Sequence, residues 1–164
     1  MRVVFNSSPI IVLGKLGYLE KAVELFGEVF IPPKAVADEI NVREDEVTSL
    51  LSRLIAEGKI SLETVEDTSP FEYPGLHAGE IEVIGLAKRL NAVAILDDLK
   101  ARKAARLEGL RVMGTVAVLR LLKDAGFITE KNGELLRSLL DVGFRIKPGL
   151  FYKIMGGMKD DPRH

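Results

Sequence analysis

Short apolar segments alternate along this chain with longer segments that carry apolar residues at helical spacing, and this alternation constrains the fold most strongly. Residues 2–5 are rich in apolar, β-branched side chains, as expected for a parallel strand that is buried on both faces. Three more core strands are predicted over residues 29–31, 92–96 and 110–113, and an edge strand over residues 60–65. Strands that alternate with helices predict an α/β protein with a mostly parallel sheet and helices on both of its faces.

The helices between these strands are predicted from apolar spacing and from the residues at their ends. In the first helix, Ser8 is a favourable N-cap, Pro9 fits the first helical position and Gly14 ends the helix. The predicted helices cover residues 10–13, 18–26, 33–40, 44–57, 79–90, 99–108 and 115–125, followed by two helical patterns within residues 130–158. Residues 45–65 leave a second interpretation open, because a helix followed by a β-like run is also compatible with a winged-helix DNA reader.

Composition limits the chemistry that the chain can support. At 164 residues it is the size of one domain, and it contains no cysteine and two histidines. Disulfides and thiolate zinc sites are therefore excluded, and a reducing, cytoplasmic location is expected. No apolar run is long enough to span a bilayer, and the first residues lack the order of a signal peptide. The net charge of −1 predicts that any contact with nucleic acid is made by a local basic patch.

Polar and acidic residues stand at the ends of several predicted strands and helices. They are Asn6, Glu39, Glu80, Asp97 and Asp98. Because the carboxyl ends of parallel strands gather along one edge of a sheet, where ligands usually bind, we expect these side chains to converge. Converging carboxylates repel one another unless a cation lies between them, and Mg²⁺ or Mn²⁺ takes such oxygen ligands. The pattern therefore predicts a metal-dependent nuclease, since carboxylate-held cations drive phosphodiester hydrolysis.

Each of these residues also has an ordinary structural explanation. Asn6 suits a turn from strand to helix, Glu80 lies in a first helical turn, and Asp98 is a favourable N-cap. Glu39 is different, because an acid late in a helix faces the negative end of the helix dipole. An unfavourable local placement without visible compensation indicates a functional site.

Five short segments, which follow one another in the same order as in the family, resemble the PIN-domain family of nucleases. They are Val3-Val-Phe-Asn-Ser-Ser-Pro-Ile-Ile-Val-Leu13, Ile31-Pro-Pro-Lys-Ala-Val-Ala-Asp-Glu39, Gly79-Glu-Ile-Glu-Val-Ile-Gly-Leu-Ala87, and Ile95-Leu-Asp-Asp-Leu-Lys-Ala-Arg-Lys-Ala-Ala105 followed by Val112-Met-Gly-Thr115. A finer pattern resembles a prokaryotic branch described as predicted nucleic-acid-binding proteins, whose relatives include the toxin nucleases of toxin–antitoxin pairs. The pattern consists of Leu96-Asp-Asp98, Ala101-Arg102 and Gly114-Thr115, followed by Gly126-Phe-Ile128 and Gly143-Phe-Arg-Ile146.

The resemblance implies a single three-layer α/β/α domain with a central, mostly parallel sheet. Its core would cover residues 1–128, a helical C-terminal extension residues 129–158, and a tail residues 159–164. The implied activity is a ribonuclease that hydrolyses RNA phosphodiester bonds at an acidic Mg²⁺ or Mn²⁺ site. A toxin role, an antitoxin protein as partner and a homo-oligomeric state, such as a homodimer, are implied as well.

The resemblance also implies roles for individual residues. The metal ligands would be Asn6, Glu39, Glu80, Asp97 and Asp98, and the catalytic acids among them Glu39, Glu80 and Asp98. Nucleic acid would be contacted by Ser7, Lys100, Arg102 and Thr115. Lys100 and Arg102 begin a basic helix, which either attracts phosphates in a salt-dependent way or is simply a solvated helix face.

Asn6 departs from the family pattern, because nuclease members generally carry Asp there as a central metal ligand. The neutral amide removes one charge, so weaker cation binding is expected. Two alternatives to an active ribonuclease therefore stay open. One is a nucleic-acid-binding protein of the same fold with little or no catalysis, and the other is an interaction scaffold that oligomerises through its helices.

Overall fold

Five parallel strands form the central sheet of the computed structural model, which describes residues 1–156 apart from the side chain of Ala35. The strands are β1 (Arg2–Phe5), β2 (Glu28–Ile31), β3 (Ile60–Leu62), β4 (Val93–Ile95) and β5 (Val112–Met113), in the order β3-β2-β1-β4-β5. Val3, Val4 and Phe5 of the central strand are 0% exposed, as their apolar character requires. The predicted parallel α/β sheet is confirmed.

Helices cover both faces of the sheet and give the predicted three-layer α/β/α arrangement. They are α1 (Ser7–Leu16), α2 (Leu19–Phe26), α3 (Asp38–Asn41), α4 (Glu46–Ala56), α5 (Ala78–Leu90), α6 (Leu99–Leu107), α7 (Thr115–Asp124), α8 (Asn132–Asp141) and α9 (Pro148–Met155). A π-helical turn over Pro33–Ala37 leads into α3, and a 3-10 turn over Ser69–Phe71 lies in the loop before α5. Helix α1 packs against α2, α4 and α7, whereas α5 packs against α6.

The beginning and end of α1 differ from the prediction. The N-cap is Asn6 rather than Ser8, so Pro9 occupies the third helical position and not the first. The helix also continues through Gly14 to Leu16, and Gly17 caps its end with a φ of 83°, in the left-handed region. A Cβ on Gly14 would lie 3.1 Å from the side chain of Val47. Gly14 therefore serves the close approach of α1 to α4, which sequence alone does not distinguish from a helix end.

The segment from α4 to β3 does not form a winged-helix module, because β3 is an edge strand of the central sheet. Asp45 caps α4, because its Oδ1 accepts hydrogen bonds from the backbone nitrogens of Val47 and Thr48 at 3.0 and 3.2 Å. Strand β3 then pairs in parallel with β2, with Ile60 opposite Val29. A wing would instead need an antiparallel partner next to it, so the winged-helix interpretation is wrong.

Helix α9 packs on α7, and α8 packs against α9 and α1, as expected for a helical extension of the same sheet. Gly143, with φ 91°, lies two residues after the end of α8, and Pro148 is the first residue of α9. Phe151 of α9 is 0% exposed and anchors this helix in the core. The boundaries proposed for the core, extension and tail stay predictions, and the tail at residues 159–164 lies outside the described residues. Within residues 1–156, the helices are too short or too polar to cross a bilayer.

Candidate functional site

Three neighbouring strands end in polar residues at the carboxyl edge of the sheet. Asn6 follows β1, Asp97 and Asp98 follow β4 after Leu96, and Thr115 follows β5 after Gly114. Backbone hydrogen bonds keep the three strand ends side by side: Asn6 N donates to Ile95 O at 3.1 Å, and Leu96 N donates to Met113 O at 2.9 Å. The edge of the sheet where ligands bind in parallel α/β proteins therefore carries these polar groups.

The carboxylate of Asp97 is held by Thr115 through two short hydrogen bonds. The backbone nitrogen of Thr115 donates to Oδ1 at 2.7 Å, and its hydroxyl donates to Oδ2 at 2.6 Å. Ser8, at the start of α1, donates a longer bond of 3.5 Å to Oδ2. Thr115 is 0% exposed, so these bonds fix the orientation of the Asp97 side chain.

Burial raises the pKa of Asp97 above its ordinary value, because desolvation disfavours the carboxylate. The hydrogen bonds from Thr115 and the positive charge of Arg102 act in the opposite direction. Arg102 lies close by, and its Nε is buried without a hydrogen-bond partner among the described residues. A Cβ on Gly114 would lie 3.0 Å from Asp97 Oδ1 and 3.5 Å from Arg102 Nη1. Glycine at this position therefore makes room for both charged groups.

Asn6, Ser7 and Glu80 are further buried polar residues near this edge, at 8%, 5% and 6% exposed. Asn6 is the N-cap of α1 by backbone position, but its side chain makes no capping hydrogen bond. Glu80 lies in the first turn of α5, where its Oε1 accepts a hydrogen bond from the backbone nitrogen of His77 at 2.9 Å. Because α5 leads directly into β4, its first turn lies toward the carboxyl edge.

Asp98 and Glu39 are exposed to solvent. Asp98 is the N-cap of α6, as predicted, and its Oδ2 accepts a hydrogen bond from Ala101 N at 2.9 Å. Glu39 lies in the single turn of α3, and solvent exposure reduces the cost of its position near a helix end. Both acids therefore have ordinary structural surroundings, and their catalytic roles stay predictions.

The predicted nucleic-acid-binding residues differ in their exposure to solvent. Lys100 is exposed and Arg102 is half-buried, whereas Ser7 is only 5% exposed and Thr115 is fully buried. Thr115 orients Asp97 rather than presenting its hydroxyl to solvent. It is Ser8, not Ser7, whose side chain reaches Asp97, and sequence reasoning had assigned Ser8 only to the helix cap. Gly114 was also missed, although the Gly-Thr pair after a predicted strand was a usable signal.

The donor chemistry of this edge fits a hard divalent cation. Asn6, Glu80, Asp97 and Asp98 offer only oxygen ligands, which Mg²⁺ and Mn²⁺ prefer. In the part of the chain that the structure describes, no three acidic, histidine or cysteine side chains form a ready-made metal group. These oxygen donors therefore suit an ion that is bound by one or two carboxylates and keeps water and substrate phosphate as further ligands.

Together, the parallel sheet and its polar carboxyl edge define a three-layer α/β/α protein with a candidate ligand site at that edge. The PIN domain family matches residues 2–160, and the chain belongs to this family. A comparison with curated proteins found no match. The predicted resemblance is confirmed at the level of the family.

Proposed function

We propose that this protein is a metal-dependent ribonuclease. One observation carries the proposal: a PIN-domain chain holds a half-buried carboxylate, Asp97, in a fixed orientation at the edge where parallel sheets bind ligands. Asn6 and Glu80 are buried polar neighbours of the same edge, and Asp98 is an exposed one. Such a concentration of oxygen donors favours phosphodiester hydrolysis over chemistry that needs a thiol or an imidazole.

The ion would be held by one or two carboxylates from the predicted set of ligands, which are Asn6, Glu39, Glu80, Asp97 and Asp98. When bound, Mg²⁺ or Mn²⁺ activates a water and stabilises the charge that develops on the phosphate. Glu39, Glu80 and Asp98 are the proposed catalytic acids among this set. Thr115 is proposed to keep the carboxylate of Asp97 in one orientation, because its hydroxyl and backbone nitrogen each bond to one carboxylate oxygen.

Positive residues on α6 are proposed to position the RNA backbone. Lys100 is exposed in the first turn of α6, and Arg102 is half-buried beside Asp97. Phosphate contacts of this kind carry no sequence information and weaken as salt concentration rises. The RNA class favoured is single-stranded, because its bases and phosphates can adjust to side chains at the edge of the sheet, whereas those of a stiff duplex cannot.

Cleavage of a fluorescently labelled single-stranded RNA, with Mn²⁺ and with EDTA, tests the proposal. Cleavage should require the metal and should be lost in Glu80→Gln and Asp98→Asn. Asp141→Asn is the matched control, because it removes the same charge from a residue that is exposed at the end of α8. Asp98→Asn retaining the activity of Asp141→Asn would contradict the role of Asp98, and metal-independent cleavage would contradict the proposal itself.

A second candidate is a nucleic-acid-binding protein with little catalysis, and Asn6 is the observation that favours it. A neutral amide at a buried position supplies less attraction for a cation than a carboxylate would. In this case RNA binding should depend on salt but not on Mn²⁺, and no cleavage should occur. The toxin role, the antitoxin partner and the homo-oligomeric state stay predictions, which isolation of the protein with its genetic neighbour would test.

A further inference from the structure

A pocket of about 750 Å³ opens beside Asp97, between α7, α9 and the segment that joins α8 to α9. Its walls are mostly apolar and include Val116 of α7, Phe144 and Ile146 of the joining segment, and Ile154 of α9. A volume of this size lies within the range of about 300–1,000 Å³ found for small-molecule sites. The apolar wall and the half-buried ring of Phe144 suit a flat, unsaturated group.

The charged groups of the same pocket favour an anion. Arg102, Arg145 and Lys147 line it together with one acid, Asp97. Both carboxylate oxygens of Asp97 already accept hydrogen bonds from Thr115, whereas Arg102 Nε has no partner among the described residues. Arg145 and Lys147 are exposed at the pocket and are not among the residues in ion pairs within residues 1–156. Positive groups that are not held in ion pairs by other side chains, Arg145 and Lys147, therefore lie next to an apolar wall.

We propose that this pocket binds one unstacked nucleotide of a single-stranded RNA, with its base against Phe144 and Ile146 and its phosphate at Arg145 and Lys147. The inference rests on the proposed function and adds a subsite to it. An apolar ligand would leave the cations without a partner, and inorganic phosphate would leave the apolar wall without one. A nucleotide satisfies both, because its base stacks on aromatic rings and its phosphate pairs with cations.

The position of Asp97 links the pocket to the candidate active site. The residue contributes to both, since it lines the pocket and lies at the carboxyl edge of β4. A nucleotide held in the pocket would place the adjoining phosphodiester along α6, where Lys100 and Arg102 lie. The subsite would therefore select where along the strand the RNA backbone meets the acidic edge.

Calorimetric titration of the full chain in EDTA tests the proposal without involving cleavage. The probes are uridine 5′-monophosphate, adenosine 5′-monophosphate, the two nucleosides, inorganic phosphate and octanoate. A monophosphate should bind at least about tenfold more tightly than its nucleoside or inorganic phosphate, since either loses one set of contacts. The double variant Arg145→Ala/Lys147→Ala should lose about tenfold or more in affinity for the monophosphate.

Lys153→Ala serves as a control for the loss of a positive charge, and Phe144→Leu tests the aromatic ring. Lys153→Ala removes an exposed cation of α9 that does not line the pocket, and it should bind like the unaltered protein. Phe144→Leu keeps an apolar side chain but removes the ring, so it should weaken monophosphate binding by about fivefold or more. The melting temperature of each variant shows whether it is folded.

Three results would overturn the inference: equal affinity for inorganic phosphate and the monophosphates, equal affinity for octanoate and the monophosphates, or equal affinity in the double variant and Lys153→Ala. The failure of the proposed function is distinguishable from these results. A chain that binds the monophosphate but cleaves no RNA keeps the subsite and loses the ribonuclease proposal. A chain that cleaves RNA but discriminates none of the probes loses only the subsite.

Discussion

Replacement of Thr115 by valine tests the hydrogen bonds that orient Asp97. Thr115 is 0% exposed, and its hydroxyl donates to Asp97 Oδ2 at 2.6 Å. Valine keeps the branched shape and the backbone bond of 2.7 Å to Oδ1, so the main loss is one hydrogen bond to a charged group. Such a loss is expected to lower the free energy of unfolding by about 1.5–3 kcal/mol near neutral pH.

The effect should depend on pH in a definite direction. Burial raises the pKa of Asp97 above its ordinary value of 3.8, and the Thr115 hydroxyl opposes this rise. Without the hydroxyl the folded-state pKa should rise further. A group with a raised folded-state pKa contributes stability that is present below its unfolded pKa and lost as pH rises through the folded pKa. Thr115→Val should therefore cost least below the ordinary Asp range, and the cost should grow until Asp97 is ionised in both proteins.

Urea unfolding of Thr115→Val and Thr115→Ser across this pH range is the measurement. Serine keeps the hydroxyl and removes one buried methyl group, which is expected to cost about 1 kcal/mol at every pH. A cost for valine that does not change with pH, or that equals the cost for serine throughout, would refute the reasoning. Asp97 would then not be oriented by the hydroxyl of Thr115.

Three further changes test other parts of the structure. Asp45→Ala removes the capping bonds of α4 and should lower stability in urea by about 0.5–2 kcal/mol, whereas no loss would contradict the cap. Burial raises the pKa of Tyr18 to about 12, so stability present below its ordinary value of 10.0 should fall as pH rises toward 12, and Tyr18→Phe should abolish this alkaline loss. Gly114→Ala places a Cβ 3.0 Å from Asp97 Oδ1 and should cost about 1–3 kcal/mol, and an unchanged urea midpoint would show that the site adjusts freely.

The sheet was predictable because its strands are short apolar runs between strongly periodic helices. Strand β1 matches its predicted bounds. Strand β3 ends at Leu62 and is shorter than predicted, although Glu63 N still donates to Ile31 O at 3.1 Å. The errors in α1 have a physical cause. Gly14 has the residue type of a helix end but the environment of a helix contact, and only the position of Val47 distinguishes the two.

The candidate site was predictable only where it depends on local sequence. The capping role of Asp98 follows from the helix that begins directly after it. The pairing of Asp97 with Thr115 joins residues 18 positions apart, and it depends on which way two side chains turn at the end of the sheet. The pocket wall at Phe144 was not predictable, because it arises when α9 packs on α7 and brings the segment between α8 and α9 beside Asp97.

Asn6→Asp is the most direct test of the metal site. The residue is 8% exposed at the end of β1, so a new carboxylate there would be largely desolvated and near the other acids of the edge. The variant should bind Mn²⁺ more tightly, and each 1.4 kcal/mol of added ligand energy corresponds to about tenfold in affinity. Without metal it should be less stable, because burial and like charges both disfavour the ionised carboxylate.

Asn91→Asp is the matched control, since Asn91 caps the end of α5 at the opposite edge of the sheet and undergoes the same charge change. Mn²⁺ binds only the folded state in this scheme, so it should raise the melting temperature of Asn6→Asp more than that of Asn91→Asp. RNA cleavage by Asn6→Asp but not by the unaltered chain would mean that the neutral amide limits catalysis. Mn²⁺ affinity and metal-free stability of Asn6→Asp that both equal those of the unaltered chain would mean that Asn6 is an ordinary turn residue, and the acidic edge would lose its central ligand.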